Sequence, residues 1–405
     1  MTDYSRDQKR EFGLYALAFG LALAIRLLRL GEIPLGDDEA RLALQALDLA
    51  KGLPTVMGPQ PAYVVLTGLA FFILQASNFA ARLAPALFGA ALSLAPINFR
   101  DRLGSKPALV LAFLLAIDPG FLALSRLAGG STIAAGALLF AWGAWRKGNL
   151  RLAGILVGLA LLSGAQLWPG LLALGLSWGL LRGFFATRLG DPSEKPSKGA
   201  TNSVDRKAWF SLVAYAVGTY ILLGSFFLMA AGGLGAGLAS LPAYISGWVS
   251  PSRVPVSRLL VGLAGYEFLP VLLAIAALVR AIYRRDEVGI GLGLWLLASL
   301  VLVLANPSRQ LTDLGWVLLP LLALASMELS GYLEPIKDGV WETIGMAVFT
   351  GALLTFAALN YSAIALVPME QQAVMVRWWI LFGSLGLLFV SIVMVAFGWS
   401  VATAV

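Results

Sequence analysis

The chain of 405 residues contains no cysteine and no histidine, and only 13% of its residues are charged. Each absence closes off a kind of chemistry. Without imidazole there is no Ser-His-Asp triad, no histidine base and no His-ligated zinc or haem; without thiols there is no thiolate nucleophile and no disulfide to report the redox compartment. Acid-base work must fall to Asp, Glu, Lys or Tyr. The scarcity of charge likewise excludes an ordinary soluble domain. Hydrophobic residues make up 59% of the chain and the mean hydropathy is +0.83, as expected of a polytopic membrane protein.

The formal charge of +7 does not point to nucleic acid, because Lys and Arg sit in short polar breaks between apolar runs rather than along one polar face. At about 20 apolar residues per crossing, spans are expected near 13–31, 79–98, 107–124, 131–145, 151–166, 168–185, 209–231, 263–282, 288–305, 314–330, 343–360 and 377–400. About twelve transmembrane helices make the fold all-α. With a cytoplasmic N-terminus the inner loops become "NFRDRLGSK", "WRKGNLR", the 186–208 segment and "YRRDE", which satisfies the positive-inside rule. The start, "MTDYSRDQKREF", has the layout of a signal peptide. Arg26 and Arg29 stand where a small-residue cleavage site belongs, so it is read as a retained first span.

"RLGDPSEKPSKGATNSVDRK" has the composition of a linker. It divides an N-terminal membrane half, 1–185, from a C-terminal half, 209–405, with 186–208 as a cytoplasmic loop. No segment is polar enough for a separate soluble domain, before or after the last apolar run. The largest external feature is then the loop 32–78. In it "DDEARLALQALDLAKG" places Leu42, Ala43, Ala46, Leu47 and Ala50 on one helical face, as in a helix lying along the membrane surface. "PAYVVLTGLAFFILQA" follows Pro59 and Pro61 and is short for a crossing, so it is expected to be re-entrant or in-plane.

Three consecutive acids, Asp37, Asp38 and Glu39, head the surface helix. One acid suffices to cap a helix start, whereas three adjacent ones repel unless a cation, a proton or a substrate group compensates. As hard oxygen ligands they would suit magnesium or manganese. Two other motifs are helix packing by this reading: "GLSWG" at 175–179 copies a nucleophile elbow but has no histidine to activate Ser177, and "GILVG" at 154–158 is a small-xxx-small approach of two helices.

"LAIRLLRLGEIPLGDDEARLALQALDLAKG", "PQPAYVVLTGLAFFILQASNFAARLAPALFGAALSLAP" and "ALVLAFLLAIDPGFLALSRLAGGS" resemble the N-terminal half of the GT-C membrane glycosyltransferases, notably bacterial relatives of protein O-mannosyltransferases (glycosyltransferase family 39) and lipid A aminoarabinose transferases. The resemblance covers residues 20 to 145 and, in the plan of spans, the remainder. It implies a sugar taken from a polyprenyl-phosphate donor at the external face of the plasma membrane, with an acidic pair on Asp38 and Glu39 and a substrate-binding element on Gln60-Pro61. Asp38 is then the expected base. Asp37, Gln60, Arg126, Arg309, Glu267 and Ser131 are expected to line the substrate site, with Arg82 a further candidate for the lipid phosphate. The acceptor, whether lipid, glycan or protein, stays open.

The chain departs from the resemblance at Ser131, where these enzymes carry a second acid; the nearest carboxylate is Asp118 in "AIDPGF", expected to pair with an arginine. That departure keeps open a non-catalytic GT-C relative that binds lipid or serves an assembly. A major-facilitator-like transporter would share the number of spans and "RDRLGSK", but not the long acidic outer loop.

The natural absence of cysteine makes topology directly testable. An impermeant thiol reagent should label Ser77→Cys in intact cells and Lys147→Cys only after permeabilisation; the reverse pattern would invert the expected orientation.

Overall fold

The computed structural model describes residues 2–54, 56–186, 206–251, 254–332 and 371–398, with scattered positions between 345 and 364. These residues are helical, and contacts group 1–332 into one compact unit and 333–405 into another. The first unit begins with α1 (Thr2–Leu27), α2 (Asp37–Ala50), α3 (Pro61–Leu74) and α4 (Asn78–Ala91), which continues through a 3-10 segment, Leu92–Phe99, into α5 (Arg100–Leu103). There follow α6 (Ser105–Ile117), α7 (Pro119–Ser125), α8 (Ser131–Arg146), α9 (Leu150–Leu161) and α10 (Leu167–Ala186). The unit is completed by α11 (Arg206–Gly224), α12 (Gly232–Leu238), α13 (Ser240–Gly247), α14 (Val256–Tyr266), α15 (Phe268–Arg284), α16 (Glu287–Ala305), the 3-10 turn Leu311–Leu314 and α17 (Gly315–Tyr332). In the second unit α18 (Gln371–Gly398) stacks Trp378 on Phe382, ring centroids 5.6 Å apart.

Among the described residues three helices are long and apolar enough to cross a membrane in one piece: Asn78–Leu103, Glu287–Ala305 and Leu311–Tyr332. Two further spans are bent pairs, α6–α7 at 57° and α14–α15 at 85°. Several of the spans expected from hydropathy are not single straight helices. The expected spans 107–124 and 263–282 are broken, 151–166 stops its helix at Leu161, and the region after α11 holds the short α12 and α13. Most of 343–360 and residues 187–205 of the expected linker lie outside the described residues.

The break between α6 and α7 is written in "AIDPGF". Proline pushes the residue before it out of the helical region, and Asp118 has φ −55° and ψ 124°. Pro119 then opens α7 at the position proline tolerates best, while Asp118 Oδ2 accepts the Phe121 N–H at 2.6 Å as an N-cap. The carbonyls orphaned at the end of α6 are met from α1. Arg26, completely buried, donates Nη2 to Leu115 O at 2.8 Å and Nη1 to Ala116 O at 2.9 Å. Its Nε reaches Ser125 Oγ at 2.9 Å. A helix C-terminus favours a cation, and here the cation replaces the missing helical donors.

Inside a membrane, apolar burial does not drive helices together, so close packing through small residues takes over. Alanines supply much of the buried surface, Ala22, Ala46, Ala80, Ala90, Ala116 and Ala134 being fully covered. Around α17 every residue from Trp316 to Ala325 is buried, as befits a helix apolar all round and enclosed by others. The small-xxx-small reading holds for α9, where Gly154 and Gly158 lie against the α11 carbonyls of Leu212 and Ala216. In "GLSWG" Ser177 is buried and its Oγ bonds back to Leu174 O, while a Cβ on Gly175 or Gly179 would meet nothing within 4 Å, so the glycines there mark no close approach. The segment 61–76, expected not to cross, forms α3, whose 14 residues span about 21 Å at 1.5 Å each.

Gly158→Val should force α9 from α11, because its new Cβ would run into the Ala216 carbonyl. Overpacking of this kind costs about 1–3 kcal/mol. A lowered melting temperature in detergent is expected, and an unchanged one would refute the contact.

Candidate functional site

The acids at 37–39 form the first turn of α2, where the helix dipole favours them. Gly36, the N-cap, has no side chain to cap with, so Glu39 reaches back and its Oε2 accepts the Gly36 N–H at 2.9 Å. The same carboxylate meets Arg82 of α4 side by side, Nε to Oε1 at 3.0 Å and Nη2 to Oε2 at 2.7 Å. Its Oε1 also accepts the Ala128 N–H at 2.7 Å. Four hydrogen bonds fill the capacity of a carboxylate. Burial pushes the Glu39 carboxyl up, but the bonds from Arg82, Ala128 and Gly36 and the arginine charge outweigh it and hold the group below the ordinary glutamate value.

Arg82 is equally committed. Beyond Glu39 it donates to the carbonyls of Leu30 at 3.3 Å, Ile33 at 2.7 Å and Pro34 at 3.1 Å, so all five N–H donors of the guanidinium are engaged. It is 5% exposed. Nothing in it remains for a substrate phosphate, which corrects its candidacy as a donor ligand.

Asp37 and Asp38 point the other way. Both are exposed, and the Asp38 side chain, 96% accessible, has only Arg41 nearby, at 3.9 Å. The three acids thus do not converge on a common cation, and among the described residues no group of three acidic side chains could hold a metal ion. The helix expected from the apolar spacing forms as α2, which buries Ala43, Ala46 and Leu49. Its backbone approaches α3 at Gly68, where a Cβ would lie 3.2 Å from Ala46 O.

Around this turn the loops are stitched to one another. Gln60 Oε1 accepts the Gly130 N–H at 2.7 Å, and the Ala62 N–H donates to Leu162 O at 2.8 Å. Gly164 adopts φ +93° beside the Pro59 carbonyl, a conformation and a clearance that glycine alone supplies. Arg126 donates Nη1 to Ile25 O and Nη2 to Arg29 O, both at 3.1 Å, while keeping part of its surface exposed. Through the Ala128 and Gly130 amides the segment 126–131, which carries Arg126 and Ser131, is held beside Glu39 and Gln60, while the Asp38 side chain stands exposed at the same turn. Ser131 opens α8 and lines a cavity of about 10 Å³ with Phe121, Thr132, Thr312 and Trp316, among others.

Arg309 joins through the segment 306–313. Its Nη1 donates to Val254 O at 3.2 Å, and the adjacent Gln310 side chain accepts from Gln166 at 3.3 Å. Trp316 Nε1 donates to Gln166 O at 2.8 Å. Glu267 is not presented to this cluster as a substrate ligand: 2% exposed at the α14–α15 break, it accepts the Gly120 N–H at 3.2 Å and sits against Asp118. It is hydrogen-bonded within the protein, as expected of a carboxyl that would be costly if it faced lipid. Among the described residues no arginine forms an ion pair with Asp118, which corrects that expectation: the N–H groups of Arg26 go to Ser125 Oγ and to the carbonyls of Ala22, Leu115 and Ala116, and its charge reaches Asp118 only through space.

Sequence reasoning missed Arg26 and Asp313 as structural polar residues. Asp313, 8% exposed, accepts the Gln310 N–H at 2.8 Å and shapes the 306–313 segment. The signal was present in "ANPSRQLTDLG", a polar break too rich in hydrogen-bonding side chains for a plain loop.

No family model and no curated protein matches the chain by sequence. Among solved structures it is similar to ArnT from Cupriavidus metallidurans bound to undecaprenyl phosphate, with a TM-score of 0.61 at 17% identity over 97% of this chain and 74% of that one. The apo state of the same protein gives 0.58 at 16% identity, over 97% and 73%. The fold is the GT-C membrane fold. The chain is accordingly a multi-pass membrane protein, and the resemblance carried by residues 20 to 145 extends to the GT-C architecture of nearly the whole chain.

Glu39 gives the GT-C loop cluster a definite pH response. Because its carboxyl is held below the ordinary value, its stabilisation is present above that value and is lost as pH falls through the folded one. With side chains 7% and 12% accessible, the pair is a buried one, and Arg82→Leu should cost about 3–5 kcal/mol at neutral pH by stranding Glu39. It should also flatten the acid limb of the melting curve. A variant that melts like the parent at every pH would show that the pair does not hold the cluster.

Proposed function

We propose that the chain is an integral-membrane glycosyltransferase that takes a sugar from a polyprenyl-phosphate donor at the external face of the plasma membrane, its N-terminus in the cytoplasm. The observation that carries this reading is the division of labour in the first turn of α2. Glu39 has no lone pair left for a proton, whereas Asp38, the residue before it in the same helical turn, is open to solvent. The fold likeness supports the donor class, since the related ArnT structure is bound to undecaprenyl phosphate.

In this reading the acceptor hydroxyl attacks the anomeric carbon, Asp38 takes its proton, and the bond from that carbon to the phosphate oxygen breaks. The electron pair leaves with the lipid phosphate, which Arg126 and Arg309 would face with charge-assisted hydrogen bonds. Glu39 positions and Asp38 reacts. No imidazole is needed, which agrees with a chain that has none. Gln60, tied to Gly130, fixes the floor of the cluster beneath the donor.

One observation favours a second reading, a GT-C relative that binds the lipid without turning it over. Ser131 occupies the place of a second acid and lines an apolar, water-sized cavity. The two readings part on a single substitution. Asp38→Asn keeps size and hydrogen bonding but removes the base, so transfer from polyprenyl-phosphate sugars should fall by about 10²–10⁴ while donor binding persists. Arg126→Ala and Arg309→Ala should instead weaken donor binding. If the purified parent binds a polyprenyl phosphate but transfers nothing from any sugar-loaded form, the non-catalytic reading replaces this one.

A further inference from the structure

We propose that Asp118 and Glu267 share a single proton, and that this proton clasps two broken helices together and so positions the loop that holds Glu39. Both carboxyls stand at helix breaks, Asp118 where α6 turns into α7 and Glu267 where α14 turns into α15. Both are buried, at 4% and 2% exposure. They are neighbours: a Cβ on Gly120 would touch Glu267 Oε1 and lie 3.5 Å from Asp118 Oδ2. Two ionised carboxylates so close in a dry interior repel each other, and a proton on one of them removes the repulsion and can bridge the two.

The geometry also says which carboxyl carries it. Asp118 caps the start of α7, accepting the Phe121 N–H at 2.6 Å, and it lies in the field of Arg26; both favour the anion. Glu267 has one oxygen, Oε2, buried without a partner, and is the group able to hold the proton. The charges then close. Arg26 contributes +1, Asp118 −1 and protonated Glu267 nothing, which is what a dry interior requires. Arg26 balances the pair through space, since its N–H groups go to Ser125 Oγ and the carbonyls of Ala22, Leu115 and Ala116. Of the elements packed against the pair, α1 presents that arginine and α17 presents Leu318, which is apolar.

Loss of the proton sets a second negative charge against the first where no water can screen it. The relief available is separation of α7 from the α14–α15 junction. From α7 the chain runs directly into Arg126–Gly130, whose Ala128 N–H holds Glu39 and whose Gly130 N–H holds Gln60. Asp118 and Glu267 are thus positioning residues. They rest on the proposed function only in that the loop they hold carries its candidate site.

The test uses the full chain in detergent and no transfer assay. Infrared spectra at neutral pH should contain a protonated-carboxyl band that Glu267→Gln removes. Amide exchange over 121–130, corrected for its intrinsic pH dependence, should lose protection as the parent is made alkaline; Glu267→Gln, whose amide still donates to Asp118, should keep it. Glu267→Ala, unable to donate, should lack that protection at every pH. If Glu267→Gln does not fold, Asp118→Asn serves, since it removes the like charge and should abolish the alkaline transition. The proposal is overturned if the band survives Glu267→Gln, if the parent shows no alkaline loss of protection, or if the variants keep the parent's transition. An inactive protein with the transition intact would sink the transferase reading and leave the clasp standing.

Discussion

The loop cluster depends on one ion pair. Glu39 and Arg82 between them tie the continuous stretch from the carbonyls at 30–34 to the start of α2 to two distant pieces of chain, α4 and the N–H of Ala128. A buried pair of this kind is not by itself a strong source of stability, because desolvating both ions offsets much of their attraction. What it supplies is uniqueness. With nine donor and acceptor positions all satisfied, any other arrangement of these loops would leave a charge or an amide stranded.

The same logic governs the broken helices. Irregular backbone at membrane depth is tolerated only where protein or a wet cavity satisfies it. Arg26 does this for α6 with side-chain donors, and Asp118 does it for α7 with a carboxylate. A chain without histidine or cysteine has assigned its buried polar work to guanidinium and carboxyl groups, whose charges must balance wherever they meet.

Local physics made much of this legible in the sequence. The surface helix followed from apolar spacing at 42–50, the short α3 from Pro59 and Pro61, and the α9–α11 contact from the glycines at 154 and 158. The division of roles within "DDE" was not legible. It depends on Arg82, 43 residues further on, and Ala128, 89 residues on, and no spacing rule relates them. Arg26 looked like a failed cleavage site because its partners lie 89 and 90 residues away. Hydropathy also hid the α14–α15 bend: Glu267 and Pro270 interrupt a run that averages as apolar, and averaging discards the interruption.

The brevity of α9 bears on the lipid as much as on the protein. Its 12 residues cover about 18 Å, against a hydrocarbon layer of about 30 Å, and Leu152 and Ile155 on it remain exposed. A helix of that length does not reach across the layer by itself, so the wall on that flank is completed by the longer α8 and α11 packed against it. A lipid tail or a long-chain isoprenoid lying there would meet the side chains of more than one helix along its length.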